Sequence, residues 1–301
     1  MLGRIIKESA GFYYVIPGAS SPDKEIYLCR ARGIFRKKSE RPSVGDIVDF
    51  SLTGTKDVEG SVDSIRARKN LLFRPPVANV DRVLIVFSGS DPAPNLLLLD
   101  RLLVSMKRKE IPAAICINKA DITEDPVLLE LKETYEGASY PVFITSAKEN
   151  EGREALLSFM KGALTALVGP SGVGKSSIMN MLTKTDLAKT GEVAKKTGQG
   201  KQTTRTSEIY VIEDVENTYV MDTPGFSAFD ISDLDEKELF HYFPEIERES
   251  GGCFFRGCVH MEEPEDKCAV KAALSKGLIK ESRYNNYRTI FSDLRSKRSY
   301  R

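Results

Sequence analysis

One short stretch, residues 169–177, reads Gly-Pro-Ser-Gly-Val-Gly-Lys-Ser-Ser and fits the phosphate-loop spacing G-x-x-x-x-G-K-[ST]. An apolar run at 163–168 leads into it as a buried strand, and residues 176–182 lead out of it as a helix. Glycines let successive backbone N–H groups point at phosphate oxygens, and the helix N-terminus adds partial positive charge. The stretch predicts a nucleotide-phosphate site formed by Gly169, Pro170, Ser171, Gly172, Val173, Gly174, Lys175, Ser176 and Ser177.

Two side chains carry the chemistry of this loop: the Lys175 ammonium would reach the β- and γ-phosphates, and the Ser176 hydroxyl would ligate Mg²⁺. Further along, an apolar strand at 217–221 ends in Asp222-Thr-Pro-Gly225. Asp-x-x-Gly after a strand places a carboxylate near Mg²⁺, through a water, and a glycine N–H at the γ-phosphate. We therefore expect Lys175 and Gly225 to act in catalysis, and Ser176 and Asp222 to hold Mg²⁺.

The segment between these motifs, residues 190–206, is rich in Gly, Lys and Thr, which is typical of a mobile loop. A threonine here would complete the Mg²⁺ shell only while the γ-phosphate is present, and would thereby order the loop. Thr204 is the favoured residue, with Thr203 as the alternative. Phe226 stands where many GTPases have a water-orienting glutamine, so we expect slow intrinsic hydrolysis and a partner that completes the site.

Guanine recognition is indicated by Asn118-Lys119-Ala120-Asp121, which follows an apolar strand at 113–117. The Asp121 carboxylate can accept hydrogen bonds from guanine N1–H and the 2-amino group together, whereas adenine would leave it desolvated and unpaired. Lys119 can lay its stem over the base, and Asn118 can tie this loop to the phosphate loop. One β-α-β unit later, Ser146-Ala147-Lys148 would offer a backbone N–H to guanine O6. The predicted guanine-binding residues are Asn118, Lys119, Ala120, Asp121, Ser146, Ala147 and Lys148.

A cysteine- and histidine-rich segment lies near the C-terminus and contains Cys253, Cys258, His260 and Cys268. Three thiolates and one imidazole make a closed tetrahedral Cys₃His zinc site, the structural kind, with no ligand position left for catalysis. The alternative is a set of unrelated core cysteines. We expect one structural Zn²⁺.

The strands and helices that position these motifs run in an unusual order. From residue 81 onward, strands alternate with helices, which predicts a parallel sheet covered on both faces. Ordinary GTPases run phosphate loop, switch loop, Asp-x-x-Gly, Asn-Lys-x-Asp and Ser-Ala-Lys, but here the last two come first. A parallel sheet survives such a circular permutation when the old ends are joined, and residues 152–164 would be the joining segment.

The N-terminal residues read differently, as short β-rich runs at 12–16, 25–30, 46–52 and 61–67 separated by turn signals. Strands at this spacing favour a small barrel, with the OB-fold as the natural candidate. Basic residues interleaved with Phe35 suit a phosphate backbone and a stacked base, although a solvated charged loop is an equal alternative. The RNA-binding candidates are Arg32, Arg36, Lys37 and Lys38.

The C-terminal residues after the cysteines predict a helix at 269–278 and a second helix with an apolar aromatic face. That face consists of Tyr284, Tyr287, Phe291 and Leu294, spaced at three and four. The exposed side and the tail are predicted to be basic, either as an RNA clamp or as an ordinary solvated helix face. The residues assigned to that side are Arg283, Arg288, Arg295, Lys297, Arg298 and Arg301.

Composition agrees with a soluble, multidomain chain of 301 residues, 41% hydrophobic and 29% charged, with a formal net charge of +1. Any nucleic-acid surface must therefore be local. No apolar run approaches the length of a membrane span, the first residues lack a signal-peptide core, and the five cysteines suit thiols or a metal site. We expect a cytoplasmic protein with an OB-fold RNA-binding domain at 1–72, a circularly permuted P-loop α/β GTPase domain at 73–228, and a small, mostly helical zinc-binding domain at 229–301.

Over its whole length the chain resembles the circularly permuted GTPases of the RsgA family, also called YjeQ or YloQ, which act in small-ribosomal-subunit biogenesis. The resemblance rests on the barrel, on residues 118–121, 169–177, 200–205 and 222–226, and on the Cys/His module. It implies an OB-fold that binds ribosomal RNA, and GTP hydrolysis stimulated by the small subunit during its late maturation. GTP, GDP, the small subunit and its rRNA are the expected partners of a monomer.

Two positions depart from the family pattern. Gln202 stands where members usually carry a histidine implicated in hydrolysis, and glutamine can orient water but cannot take a proton. The gap between His260 and Cys268 is two residues longer than usual, and Cys268 is still expected to be the fourth ligand. Two other functions stay open: a GTP-gated binding protein in another RNA pathway, such as tRNA handling, and a metabolic P-loop ATPase.

Overall fold

The structure is a computed structural model that describes residues 1–18, 25–33, 35, 41–53, 58–72, 76–184, 208–222 and 230–299. The chain divides into two compact units. Unit 1 contains residues 1–82, 153–168 and 175–228, and unit 2 contains residues 83–152, 169–174 and 229–301. Some predicted residues lie outside the described residues: Arg36, Lys37, Lys38, Gln202, Thr203, Thr204, Gly225, Phe226 and Arg301.

The strands are β1 (Leu2–Ser9), β2 (Phe12–Pro17), β3 (Tyr27–Ala31), β4 (Ile47–Leu52), β5 (Gly60–Ile65), β6 (Leu71–Leu72), β7 (Val77–Ala78), β8 (Arg82–Ser88), β9 (Ala113–Asn118), β10 (Val142–Ile144), β11 (Leu164–Val168), β12 (Ile209–Val211) and β13 (Tyr219–Asp222). The α-helices are α1 (Leu96–Arg108), α2 (Asp125–Gly137), α3 (Arg153–Met160), α4 (Lys175–Thr183), α5 (Pro244–Ser250), α6 (Ala269–Ser275) and α7 (Glu281–Ser299). Short 3₁₀ helices occupy Ala120–Ile122, Glu236–Tyr242 and Glu265–Lys267.

The N-terminal strands of unit 1 close into a five-stranded barrel in the order β1-β2-β3-β5-β4, with β3 and β5 parallel. This confirms the predicted OB-like barrel. Alternate residues point inward, and Ile5, Val15, Val48 and Phe50 are fully buried in its core. The sequence pattern missed β1, because the register shifts between Ile5 and Lys7 and the bulge breaks the two-residue alternation.

The α/β part of unit 1 contains strands in the order β11, β13 and β12, and it also contains α3 and α4. Strands β11 and β13 are parallel and pair Leu167 with Asp222, whereas β12 runs antiparallel to β13. The five residues of β11 are all buried, as expected for a parallel strand that is covered on both faces. The segment that sequence analysis described only as a joining segment contains α3.

The α/β part of unit 2 is a parallel set in the order β10-β9-β8, flanked by α1 and α2. Its register places Ser88, at the end of β8, opposite Asn118, at the end of β9. The loops that follow these strands therefore emerge at the same edge, which is where open α/β sheets bind ligands.

The C-terminal part of unit 2 is a helical module, which confirms the predicted class of this region. Leu239, Phe243, Ile246 and Tyr287 are fully buried in its core, which also includes Val104 of α1. The predicted apolar face of the last helix is buried there as well.

Arg283 does not belong to the exposed basic side of α7, so that prediction was wrong. Its side chain is only 2% exposed and forms ion pairs with Asp100 of α1 and Glu245 of α5. Its position four residues before Tyr287 places it on the same, inward face of the helix. A buried guanidinium is retained there because two carboxylates compensate its charge.

Within the described residues, no helix combines the length and apolar character that crossing a membrane requires.

Candidate functional site

The glycines of the phosphate loop lie where other side chains do not fit. A Cβ on Gly169 would lie 2.1 Å from the Val86 carbonyl oxygen, and one on Gly174 would lie 2.3 Å from Nδ2 of Asn118. Gly174 also has a φ of +93°, in the left-handed region that glycine tolerates. Close approach to β8 and β9 therefore fixes the loop backbone next to the guanine-type motif.

Asn118 joins three of the predicted motifs. It is 2% exposed, and its Nδ2 donates to the Val173 carbonyl oxygen of the phosphate loop at 2.9 Å. Its Oδ1 accepts from the Thr145 hydroxyl at 3.2 Å and from the Ala147 N–H at 3.1 Å. The structure thus brings the guanine-type motif, the Ser-Ala-Lys motif and the phosphate loop together; of these contacts, the sequence predicts the one from Asn118 to the phosphate loop.

Asp121 presents a carboxylate held by the neighbouring motif. The Ser146 hydroxyl donates to Oδ1 at 2.7 Å, and Lys148 Nζ lies 3.7 Å from Oδ2. The hydrogen bond from Ser146, with a smaller contribution from Lys148, lowers the pKa of Asp121 below its usual range. The group is therefore an ionised acceptor near neutral pH, the form that can accept a pair of N–H donors.

Lys119 and Ala120 follow Asn118 in the turn that opens the short 3₁₀ helix. Lys119 has a φ of +67°, an uncommon backbone conformation for a non-glycine residue. The Ala120 N–H donates to the Thr145 carbonyl oxygen at 3.0 Å, and Lys119 Nζ donates to the Asp91 carbonyl oxygen at 2.5 Å. Backbone and side chain are both fixed by neighbouring loops.

Unit 1 carries the other charged groups of the predicted site. Lys175 begins α4 and is partly buried; burial lowers its pKa, and the nearby Asp222 opposes that shift. Asp222 ends β13 opposite Leu167, so it lies at the strand end from which the phosphate loop departs. Ser176 and Ser177 are exposed in the first turn of α4. A hydroxyl and a carboxylate at this edge are oxygen donors of the kind that Mg²⁺ takes.

One prediction follows from the Gly174 contact. We expect Gly174→Ala to weaken GDP binding by at least about tenfold, because the new methyl group displaces the Asn118 amide and adds backbone strain. Gly162→Ala is the matched control, since its φ is +71° but nothing lies within 4 Å of a Cβ there. Equilibrium titration with a fluorescent GDP analogue measures both. Equal affinity loss in the two variants would attribute the effect to strain alone.

The cysteine and histidine side chains form a compact donor cluster in unit 2, the Cys₃His cluster: Cys253, Cys258, His260 and Cys268. Nδ1 of His260 lies 3.6, 3.3 and 3.5 Å from the sulfurs of Cys253, Cys258 and Cys268, respectively. The Cys258 and Cys268 sulfurs are 3.8 Å apart. A tetrahedron with Zn–S of about 2.3 Å and Zn–N of about 2.0 Å has edges of about 3.5–3.8 Å. The donor set and its spacing fit a zinc ion.

Surrounding residues hold the loop that carries His260. Both Glu263 oxygens accept backbone N–H bonds, from Val259 at 2.9 Å and from Met261 at 2.8 Å. The Tyr284 hydroxyl donates to the His260 carbonyl oxygen at 2.6 Å. Burial lowers the pKa of His260 to about 4, so the imidazole is neutral and able to bind a metal at neutral pH.

The predicted RNA-binding residues are only partly described. Arg32 is exposed and forms an ion pair with Asp63 at 2.8 Å. Phe35 is 7% exposed and packs in the barrel core, so its ring is not presented for stacking on a base, which was one of the two alternatives that the sequence left open. Filling a small barrel requires large apolar side chains, and this one is used there. Arg30, over the Phe12 ring at 4.5 Å, presents an exposed cation beside an aromatic ring on the same barrel.

Sequence analysis missed two sets of supporting residues. Asp91 and Thr123 contact the guanine-type motif, and Ser88 holds the Asp91 carbonyl. The only signal for them in the sequence was a polar turn at the end of a buried strand. Glu263 supports the Cys₃His cluster, and no residue spacing indicated it.

A guanine-type motif that precedes its phosphate loop along the chain, yet is hydrogen-bonded to it, defines a circularly permuted GTPase, an enzyme that hydrolyses GTP. The RsgA GTPase family model matches residues 65–232, and the RsgA N-terminal domain model matches residues 2–60. The chain therefore belongs to the RsgA GTPase family.

Full-length relatives agree with this assignment. The chain is 42% identical over 306 residues to the small ribosomal subunit biogenesis GTPase RsgA of Agathobacter rectalis, with 100% of both chains covered. It is 39% identical over 300 residues to the Bacillus subtilis protein of the same name, with 98% of each covered. The crystal structure of YjeQ from Thermotoga maritima matches with a TM-score of 0.78 and 35% identity, covering 97% of this chain and 98% of that one. YloQ, described as a circularly permuted GTPase, matches with a TM-score of 0.78 and 35% identity, covering 98% of this chain and 95% of that one.

Proposed function

We propose that this chain hydrolyses GTP in response to the small ribosomal subunit and acts late in the maturation of that subunit. The main support for GTP hydrolysis is the hydrogen bond from Asn118 to the Val173 carbonyl oxygen, which couples guanine recognition to the phosphate loop. The names of the relatives in Agathobacter rectalis and Bacillus subtilis support the ribosomal assignment. A cytoplasmic setting and a monomeric state are part of the same proposal.

The described residues have separate roles in binding and hydrolysing GTP. Asp121 selects guanine through its ionised carboxylate, and Asn118 fixes the distance from the base loop to the phosphate loop. Lys175 and the loop N–H groups stabilise the charge that develops on the transferring phosphoryl group. Bound Mg²⁺ would neutralise charge on the β- and γ-phosphates, with Ser176 and Asp222 among the residues that hold it.

Three further residues belong to this proposal although they lie outside the described residues. Thr204 would ligate Mg²⁺ while the γ-phosphate is present, and Gly225 would donate its N–H to that phosphate. Gln202 would orient the attacking water without taking its proton, since an amide has no basic site at neutral pH.

The outer regions supply the proposed contacts with rRNA. In the N-terminal part of the sequence these are Arg32, Arg36, Lys37 and Lys38; in the C-terminal module Arg288, Arg295 and Lys297 are exposed on α7. The Cys₃His cluster would hold one structural Zn²⁺ and so fix the fold of that module. We place the working boundaries of the domains at 1–72, 73–228 and 229–301.

The test is hydrolysis of GTP by the full chain with and without purified small subunits. We expect a severalfold or larger rise in the phosphate-release rate, because a partner completes a site that lacks a water-orienting glutamine at position 226. Bulk RNA, tRNA and whole ribosomes serve as comparisons, and Lys175→Ala checks that the activity comes from this chain. Stimulation no larger than that given by bulk RNA would contradict the proposal, and a selective response to tRNA would favour another RNA pathway.

A further inference from the structure

Residues 88–92, Ser-Gly-Ser-Asp-Pro, form a turn directly after β8, which we term the Ser88 turn. The fully buried Ser88 hydroxyl organises it. It donates to the Asp91 carbonyl oxygen at 2.8 Å and accepts from the Ser90 N–H at 3.2 Å. Because one hydroxyl both donates and accepts inside the turn, it fixes the direction of the Asp91 carbonyl.

The Asp91 carbonyl is also the acceptor for the guanine loop. Lys119 Nζ donates to it at 2.5 Å, and a carbonyl oxygen has two lone pairs, so Ser88 and Lys119 can share it. The Gly89 N–H donates to the Asn118 carbonyl oxygen at 3.2 Å, which adds a backbone link between the same two loops.

Thr123 also links the Ser88 turn to the guanine-type motif, through the backbone of Lys119. Its hydroxyl donates to the Lys119 carbonyl oxygen at 2.8 Å and lies 3.2 Å from the Ser90 hydroxyl. A Cβ on Gly89 would lie 2.6 Å from Thr123 Cγ2, so the two loops are packed without spare room. Lys119, with its positive φ, is therefore held at its backbone and at its ammonium group.

The Ser88 turn also reaches the phosphate loop, since a Cβ on Gly172 would be in ordinary contact with Pro92 Cδ at 3.7 Å. We propose that the Ser88 turn lines the guanine-nucleotide site together with the guanine-type motif and the phosphate loop. Ser88 is a positioning residue: it fixes the Asp91 carbonyl, which holds Lys119 over the base. This rests on the proposed guanine-binding role of Lys119.

Its consequence is preorganisation of the bound state. Anchoring the ammonium group keeps the aliphatic stem of Lys119 in place before the nucleotide arrives, so less side-chain freedom is lost on binding. Such an effect acts equally on GDP and GTP, because the base is far from the reacting phosphate. It should therefore change nucleotide affinity without changing the chemical step.

The experiment is stopped-flow binding of a fluorescent GDP analogue to the full-length protein. We expect Ser88→Ala to raise the dissociation rate about fivefold, the usual loss for one neutral hydrogen bond, with little change in association rate. The KM for GTP should rise by a similar factor, because the base contacts are the same for GTP and GDP. Thr134→Ala is the control, since it removes a buried hydroxyl that donates only within α2, to the Glu130 carbonyl oxygen.

A double-mutant cycle with Lys119→Met separates positioning from a general structural effect. If Ser88 acts through Lys119, Ser88→Ala should add no further loss in the Lys119→Met background. Thr123→Val provides a second route, because it keeps the shape but removes the hydroxyl that holds Lys119, and it should also speed dissociation. Additive losses in the cycle, or wild-type dissociation in Ser88→Ala, would overturn the role of the turn. Absence of binding by the wild type would instead overturn the nucleotide assignment itself.

Discussion

Replacing Arg283 with methionine is expected to lower the free energy of unfolding by about 3–5 kcal/mol, because it leaves two buried carboxylates without their counter-ion. Asp100 is fully buried, and Glu245 is 2% exposed. Nε of Arg283 donates to Glu245 at 2.7 Å, and Nη1 contacts Asp100. Methionine has a similar length and no charge, so the loss comes mainly from electrostatics.

The remaining partners of Asp100 cannot replace the guanidinium. The Tyr135 hydroxyl donates to it at 3.0 Å and Asn286 Nδ2 donates at 2.7 Å, but both groups are neutral. Burial raises the pKa of Asp100, and Arg283 is the largest opposing influence. Without Arg283 the carboxyl group would be still harder to ionise.

The pH dependence follows from that shift. An acid whose pKa is higher in the folded state binds more protons when folded, so its contribution to stability falls as the pH rises. The deficit of Arg283→Met should therefore shrink when the pH is lowered from about 7.5 to about 5.5. A deficit that grows on acidification would contradict this explanation.

The measurement is urea unfolding followed by far-UV circular dichroism, since the chain has no tryptophan. Arg288→Met is the matched control, because Arg288 is exposed on the same helix, and its effect should stay within about 0.5 kcal/mol. If both variants unfold at the same urea concentration as the wild type, Arg283 does not stabilise the module.

The buried ion pairs of Arg283 with Asp100 and Glu245 also show which contacts could not be predicted from this sequence. The four-residue spacing between Arg283 and Tyr287 indicates the buried face of α7, because the helical period holds for charged residues as well as for apolar ones. The partners of Arg283 were not predictable, because Asp100 precedes it by 183 residues and no local pattern connects them. Contacts between distant elements depend on how layers pack, which a single sequence does not encode locally.

The nucleotide motifs show the opposite case. Gly174 was identified because few side chains satisfy the backbone geometry of a phosphate loop, and Asn118 because it begins the Asn-Lys-x-Asp pattern after a buried strand. The order of the motifs was enough to predict a permuted sheet. The Ser88 turn was missed because serine-rich turns end many strands, and only the 2.5 Å contact from Lys119 to Asp91 gives this one a role.

For the Cys₃His cluster, we expect the wild-type chain to bind one equivalent of zinc and Cys258→Ser to lose it. The cluster geometry fits zinc, and a structural site of this kind contributes about 10–16 kcal/mol of apparent binding energy to folding. Metal analysis after exhaustive dialysis gives the stoichiometry, and limited proteolysis reports whether the C-terminal helices stay folded. Cys258 is the informative ligand because it is buried and its sulfur lies 3.3 Å from His260 Nδ1.

Cys29→Ser is the matched control, because this thiol is fully buried in the barrel, where burial raises its pKa to about 11. That variant should lose stability in the barrel but retain a full equivalent of zinc. A full equivalent in Cys258→Ser would contradict the ligand set, whereas loss of metal from both variants would mean that binding reports only on global folding.

Glu263→Gln separates ligation from support of the loop. Glutamine keeps one carbonyl oxygen for Val259 or Met261 but presents an NH₂ group to the other N–H, so the loop that carries His260 loosens while all four ligands remain. We expect a ten- to hundredfold loss of zinc affinity, about the effect of removing an outer-shell partner, with stoichiometry unchanged at saturating metal. Competition against a chelator of known affinity measures it. An unchanged affinity would mean that the four ligands alone set the geometry, and that the hydrogen bonds from Tyr284 and Tyr287 hold the loop without the carboxylate.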